Sequence, residues 1–198
     1  PGRIVGAGGG AAGLLTRFPL TEAQEGLFYA QLLDPANPVF NTGQYLDLAG
    51  ELDVPALQRA VAQAGREAEA LRLRIHSTGQ QELQEDLQIE LQVVDCADAA
   101  DPEHLALTLI RADMATPVDP ARDPLVQQKL YRLGAQRHLW AQQVHHLAID
   151  GYGMVLLTAR VAELYGRYLA GQDTGGRALA PLADLLGEDA AYRSSAER

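Results

Sequence analysis

The sequence predicts an α/β (α+β) sandwich, a mixed β-sheet flanked by helices. Three observations carry that prediction. Apolar residues recur at helical spacing behind polar N-cap candidates. Alternating apolar and polar runs lie between those helices. Glycines and prolines punctuate each change of period, and no internal repeat is present.

The elements follow in order. Thr21 precedes the run 22–33 and has Gln24 at the capping-box position, so a helix starts there. Asp34, Pro35 and Pro38 break it. Residues 45–48 alternate weakly and read as a strand ending at Gly50. Asp53 and Pro55 open a second helix, in which Leu57, Val61 and Ala64 share a face. Leu71, Leu73 and Ile75 alternate with Arg72 and Arg74, which places the arginines on the polar face of a strand. A turn at Ser77, Thr78 and Gly79 leads to short strands at 81–84 and 89–94. Asp101 and Pro102 start a third helix reaching Met114, and 116–124 is a loop. Residues 125–133 and 138–146 form a hairpin about Gly134. The last clear helix covers 153–170, with Met154, Leu157, Val161, Leu164 and Tyr168 as its stripe and Gly171 as its stop.

The ends differ in composition. Residues 1–16 are rich in glycine and alanine and read as a flexible linker. Residues 17–171 form the folded unit, and 172–198 read as an exit segment with one helical turn or two.

Composition narrows the function classes. The 198 residues are 47% hydrophobic and 21% charged, enough for a substantial core. A net charge of -10 with no basic stripe argues against a nucleic-acid partner. No apolar run approaches the roughly 18–20 residues of a membrane span. Cys96 is the single cysteine, so no internal disulfide can form, and a cytoplasmic protein is expected.

The chemistry concentrates in His145-His146-Leu147-Ala148-Ile149-Asp150-Gly151. In a strand, alternate side chains face opposite ways, so His138, Trp140, Gln142, Val144 and His146 share one face and His145 lies on the other. The two adjacent histidines therefore cannot address one substrate atom: one faces a site while the other braces the strand. Asp150-Gly151 favours a tight turn, because glycine takes positive φ without cost. A neutral imidazole accepts or shares a proton at neutral pH. No Ser or Cys adjoins the run, which leaves no local covalent nucleophile. Histidines in strands are commonly structural, and His76, His104 and His138 are placed in that class. A zinc site from His145, His146 and Asp150 conflicts with the opposed histidine directions, so no metal is expected. On spacing alone, a catalytic and a structural histidine both remain open.

Residues 145–151 resemble the His-His-x-x-x-Asp-Gly motif of condensation domains from nonribosomal peptide synthetases. Two further resemblances occur in the family's order. Residues 18–29, with Ala23-Gln24 at their centre, are similar to its first motif. Glu69-Ala70-Leu71-Arg72-Leu73-Arg74-Ile75 is similar to its second, Glu-x-Leu-Arg-Thr-x-Phe, with Leu73 and Ile75 departing from Thr and Phe. Together they reach from Phe18 to Gly171.

The resemblance implies a chloramphenicol acetyltransferase-like fold of two similar lobes in a V, with the active site in the tunnel between them. It implies no directly bound cofactor. Substrates arrive on phosphopantetheine arms of upstream and downstream carrier-protein domains. A donor acyl thioester and an acceptor amine then give an amide and a free thiol. His146 is implied as the active-site residue, orienting or deprotonating the amine or stabilising the tetrahedral intermediate. His145 supports it. Asp150 pairs with Arg72 in a structural ion pair, against the plain reading of Arg72 as a solvated surface residue. Gly151 allows the turn and brings its N–H towards the thioester oxygen. A whole condensation domain is roughly twice this length, so the resemblance covers the N-terminal lobe. One wall of a tunnel cannot exclude water or place two arms, so little or no activity is expected without the C-terminal lobe.

Rival readings share the motif. An epimerisation domain carries the same lobe. Heterocyclisation domains have aspartates in place of the histidines, unlike this chain. Acyltransferases outside peptide synthesis usually keep only the second histidine. A non-catalytic, partner-recruiting module typically alters the motif, which is intact here.

Overall fold

The computed structural model describes residues 17–195. The linker expected over 1–16 lies outside the described residues, as do 196–198. Strand β1 (Arg17–Pro19) leads to helix α1 (Glu22–Leu33), which begins as its sequence dictates: the Thr21 side chain accepts from the Gln24 N–H, and Gln24 returns to the Thr21 N–H. Strand β2 (Asn41–Ala49) is twice the length its weak alternation suggests, because nine residues pair antiparallel with a single partner strand. Helix α2 (Val54–Glu67) starts at the Asp53 cap.

The motif-two segment differs from its expected strand. Residues Glu69–Arg72 form a 3-10 turn, and the strand, β3, runs only over Leu73–His76. Strands β4 (Gln80–Leu83) and β5 (Leu91–Asp95) follow, then helix α3 (Pro102–Ala115), capped by Asp101. Strands β6 (Val126–Gly134) and β7 (Arg137–His145) form the hairpin, followed by helix α4 (Gly151–Leu169) and helix α5 (Leu182–Ser194). Gly171, at φ +63, ends α4 as expected.

The strands form two sheets. The larger is mixed, in the order β2-β7-β6-β5, with only the β5–β6 pair parallel. The smaller, β1-β4-β3, is antiparallel. Alternation along β7 builds the sandwich. Trp140 and Val144 pack with Leu57 and Val61 of α2 and Leu157 and Val161 of α4. Leu139 faces the other way, against Ala106 of α3. A third cluster joins Leu20, Phe28, Leu73, Ile75 and Leu125 to Leu147 of the histidine loop.

Two long-range connections tie the outer elements down. Helix α5 exceeds the expected turn or two and folds back on α1: Asp189 accepts from the Glu22 N–H at 2.8 Å, and Arg193 reaches Glu25 at 2.9 Å. Arg160 of α4 grips Glu67 of α2 through two 2.9 Å hydrogen bonds, with both side chains 4% exposed. Among the described residues no helix is long and apolar enough to cross a membrane.

Candidate active site

Strand β7 delivers the two histidines to its end, and the larger sheet fixes their backbone from both neighbouring elements. The His145 N–H donates to Leu125 O and the His146 N–H to Phe40 O, each at 2.8 Å. The residues between His146 and α4 make a short turn, closed by the Ala148 N–H donating to His145 O at 2.9 Å.

The two side chains differ in burial. His145 is buried, with its ring 6.2 Å from that of Phe40. Its Nδ1 accepts from the Leu147 N–H at 3.2 Å, which places the ring proton of the neutral form on Nε2. Burial, with a smaller push from neighbouring His146, lowers its pKa to about 4, so the ring stays neutral and keeps accepting at physiological pH. His146 is only partly buried. Its Nδ1 is shut off from solvent without a hydrogen-bond partner among the described residues. His145 is thus tied to the loop through Leu147, while His146 keeps a ring nitrogen without a partner among the described residues.

Asp150 is the N-cap of α4. It accepts from the Gly153 N–H at 2.7 Å through Oδ1, and its own carbonyl accepts from the Met154 N–H at 3.0 Å. Gly151 is the first residue of that helix and is not among the glycines at positive φ, so the expected left-handed turn is not how the chain bends. An added Cβ at Gly151 would meet nothing within 4 Å, which leaves its backbone open to an approaching molecule. The glycine that packing requires is Gly153, where a Cβ would fall 2.5 Å from Ile149 Cγ1.

The expected ion pair between Arg72 and Asp150 is not among the salt bridges of the described residues. Arg72 belongs to the 3-10 turn and is 9% exposed, neither on a strand nor on a solvated face. Its guanidinium donates to Glu85 O at 3.0 Å and to Arg66 O at 3.2 Å. Arg66 lies in the last turn of α2, where outward carbonyls and the helix dipole favour a cation. Asp150 meanwhile spends its carboxylate on α4. The structure therefore brings His145, His146, Asp150 and Gly151 together at one strand-to-helix junction and leaves Arg72 apart from them.

Two residues beyond the motif reach that junction. Gln24 of α1 donates from Nε2 to Leu147 O at 2.9 Å and to Gln81 Oε1 at 3.0 Å. Gln81, fully buried, returns a 2.9 Å bond to Gln24 Oε1. The capping box points to Gln24 as a helix-starting residue, but nothing local marks its reach across to residue 147. Gln81 sits among polar neighbours in β4 and carries no sequence signal of burial. Among the described residues no three His, Cys, Asp or Glu side chains are placed to hold a metal ion. A cleft under α3, lined by Gly43, Met114 and Gln143, includes neither motif histidine in its lining.

The profile of the condensation-domain family matches residues 15–197. The chain belongs to the condensation-domain family. This condensation-domain lobe is 36% identical over 182 residues to the dimodular nonribosomal peptide synthase of Bacillus subtilis (strain 168), covering 90% of this chain and 8% of that protein. It is 33% identical over 183 residues to enterobactin synthase component F of Escherichia coli (strain K12), covering 89% of this chain and 14% of that protein. Its fold matches the crystal structure of the starter condensation domain of rhizomide synthetase RzmA with a TM-score of 0.84 at 31% identity, over 91% of this chain and 45% of that one. The first condensation domain of the calcium-dependent antibiotic synthetase matches with a TM-score of 0.77 over 44% of its length. The lobe thus spans less than half of these solved chains. The expected mixed α/β architecture is borne out by these neighbours and by the sheets and helices described above.

Proposed function

We propose that this chain is the N-terminal lobe of a condensation domain that joins a donor acyl thioester to the amine of an acceptor aminoacyl thioester. The observation that carries the proposal is the intact junction of β7 and α4: His146 is partly buried there, His145 is buried and accepts from the Leu147 N–H, and Asp150 caps the helix that follows. Both substrates ride on phosphopantetheine arms of carrier proteins, and the site works in the cytoplasm. The acceptor nitrogen bonds to the donor carbonyl carbon, the C–S bond breaks, and the amine proton ends on the released thiol. His146 orients or deprotonates that amine, or steadies the tetrahedral intermediate. Two features support the oxyanion side of this reading. Nothing within 4 Å crowds the missing Cβ of Gly151, and the first turn of α4 presents backbone N–H groups with the positive end of the helix dipole. Arg72 and Asp150 act on folding, Arg72 by tying the end of α2 to the segment after β4 and Asp150 by capping α4. The lobe alone lacks the second wall of the tunnel and forms little or no amide.

The test is His146→Ala in the full-length parent, supplied with both loaded carrier proteins. Amide formation is expected to fall by at least about 100-fold, the usual scale for removing a positioned acid–base group, with the fold intact by circular dichroism. Wild-type turnover in the variant would remove His146 from the mechanism and the reading with it.

A further inference from the structure

Leu147, the residue after His146, is held at three points. Its side chain is 2% exposed in the cluster with Leu20 and Phe28. Its N–H is taken by His145 Nδ1 at 3.2 Å, and its carbonyl by Gln24 Nε2 at 2.9 Å. The second hold comes from the loop itself, and the first from packing against other elements, Phe28 of α1 among them. The third comes from another element, the start of α1.

The Gln24 amide has one orientation available. Its Oε1 accepts from the Thr21 N–H at 2.9 Å and from Gln81 Nε2 at 2.9 Å. Its Nε2 donates to Gln81 Oε1 and to Leu147 O. Rotating the amide by half a turn would set oxygen against the Leu147 carbonyl and N–H against the Thr21 N–H. Gln81, with 0% exposure, is itself fixed by donating to Pro19 O at 3.0 Å. The two amides close a reciprocal pair that joins α1, the small sheet and the histidine loop.

A capping box needs only the acceptor half of this side chain, and glutamate serves as well as glutamine there. The donor half has no capping duty. It is spent on Leu147 O and on the partner amide that aims it.

We infer that Gln24 is a positioning residue for His146, its amide fixing the loop carbonyl that follows the histidine and Gln81 locking that amide in place. The inference rests on the condensation reading for its kinetic consequence and on geometry alone for its structural one. A loop released at this carbonyl lets the imidazole drift by a fraction of an ångström to an ångström, and misplacement on that scale costs up to about 100-fold in rate.

The substitution that separates the two roles is Gln24→Glu, which keeps the cap and loses the donor. Gln24→Met removes both without burying a charge and serves where the glutamate variant folds poorly. Both are made in the full-length parent. Each is expected to lower kcat by about 10- to 100-fold, with KM for the two carrier-bound substrates changed less than threefold. In long-range 1H–15N spectra of the histidine-labelled protein, the His146 ring signals are expected to move. Those of His138, at the opposite end of β7, are expected to stay in place. Turnover within twofold of wild type, a matching loss in KM, or unmoved His146 signals in a folded variant would each overturn the inference. A wild-type parent that makes no amide would sink the condensation reading instead, and the spectra would still decide the positioning role.

Discussion

His145 is expected to make the folded chain sensitive to mild acid, and the size of that sensitivity follows from its surroundings. Burial, and secondarily the neighbouring His146, lowers its pKa from 6.5 to about 4. In the unfolded chain the ring titrates near its ordinary value. As pH falls through 6.5 the unfolded state therefore takes the proton first, and stability present above that point is lost. The loss continues to about pH 4, below which the folded state is protonated too and nothing further is lost. Proton linkage gives about 2 kcal/mol between pH 7 and pH 5, and about 3 kcal/mol once the full window is crossed. Replacing His145 with Asn keeps an acceptor near the Leu147 N–H and removes the titration. Urea unfolding of both forms at pH 7 and pH 5 measures the difference. Wild type is expected to lose about 2 kcal/mol more than His145→Asn over that interval. His138, whose pKa burial also lowers, is common to both forms and cancels. The lowered carboxylates of Glu67, Glu69 and Glu82 titrate below the interval. Equal losses in the two forms would show that His145 is not buried neutral, and the bracing role would go with it.

Arg160→Met leaves Glu67 buried without its cation and is expected to cost about 3–5 kcal/mol in urea unfolding; a loss under about 1 kcal/mol would mean the pair opens to solvent. Asp150→Ala removes the cap of α4 and is expected to cost about 0.5–2 kcal/mol. Combined with Arg72→Ala, the losses should add to within about 0.5 kcal/mol, since the two side chains hold different elements. A coupling above about 1 kcal/mol would restore the ion pair that the family resemblance suggests.

Sequence shows best what neighbouring residues decide. Thr21 with Gln24, Asp53 and Asp101 each satisfy N–H groups within one turn, so the caps were readable without a fold. The pleat alone predicts opposed directions for His145 and His146, and the two differ in burial, although β7 ends at His145. Arg72 shows the limit of the same logic. The alternation of residues 71–75 is real as a pattern, yet Leu71 and Arg72 are both buried, because the chain is still in a 3-10 turn where the period is not two. The length of β2 is set by pairing with β7 and not by its own composition. Glu67 and Arg160 stand 93 positions apart, and no local rule relates them. Helix α5 is amphipathic only weakly, and its place is fixed by Asp189 and Arg193 meeting α1.

The holds on the histidine loop bear on the proposed reading, in which the lobe carries an ordered site and needs the rest of the domain for the reaction. Phe40 O, Leu125 O, His145 Nδ1 and Gln24 Nε2 all belong to this lobe, and together they fix the backbone from residue 145 to residue 147. None of them comes from the part of the solved relatives that this chain does not span. The position of His146 is therefore a property of the lobe. On the proposed condensation reading, what the remaining half must supply is a second surface to bring two thioester arms to that histidine and keep water away. On this division of labour, substitutions of Gln24 and His145, the two side-chain holds, change the alignment of one ring, while the backbone holds from Phe40 and Leu125 persist.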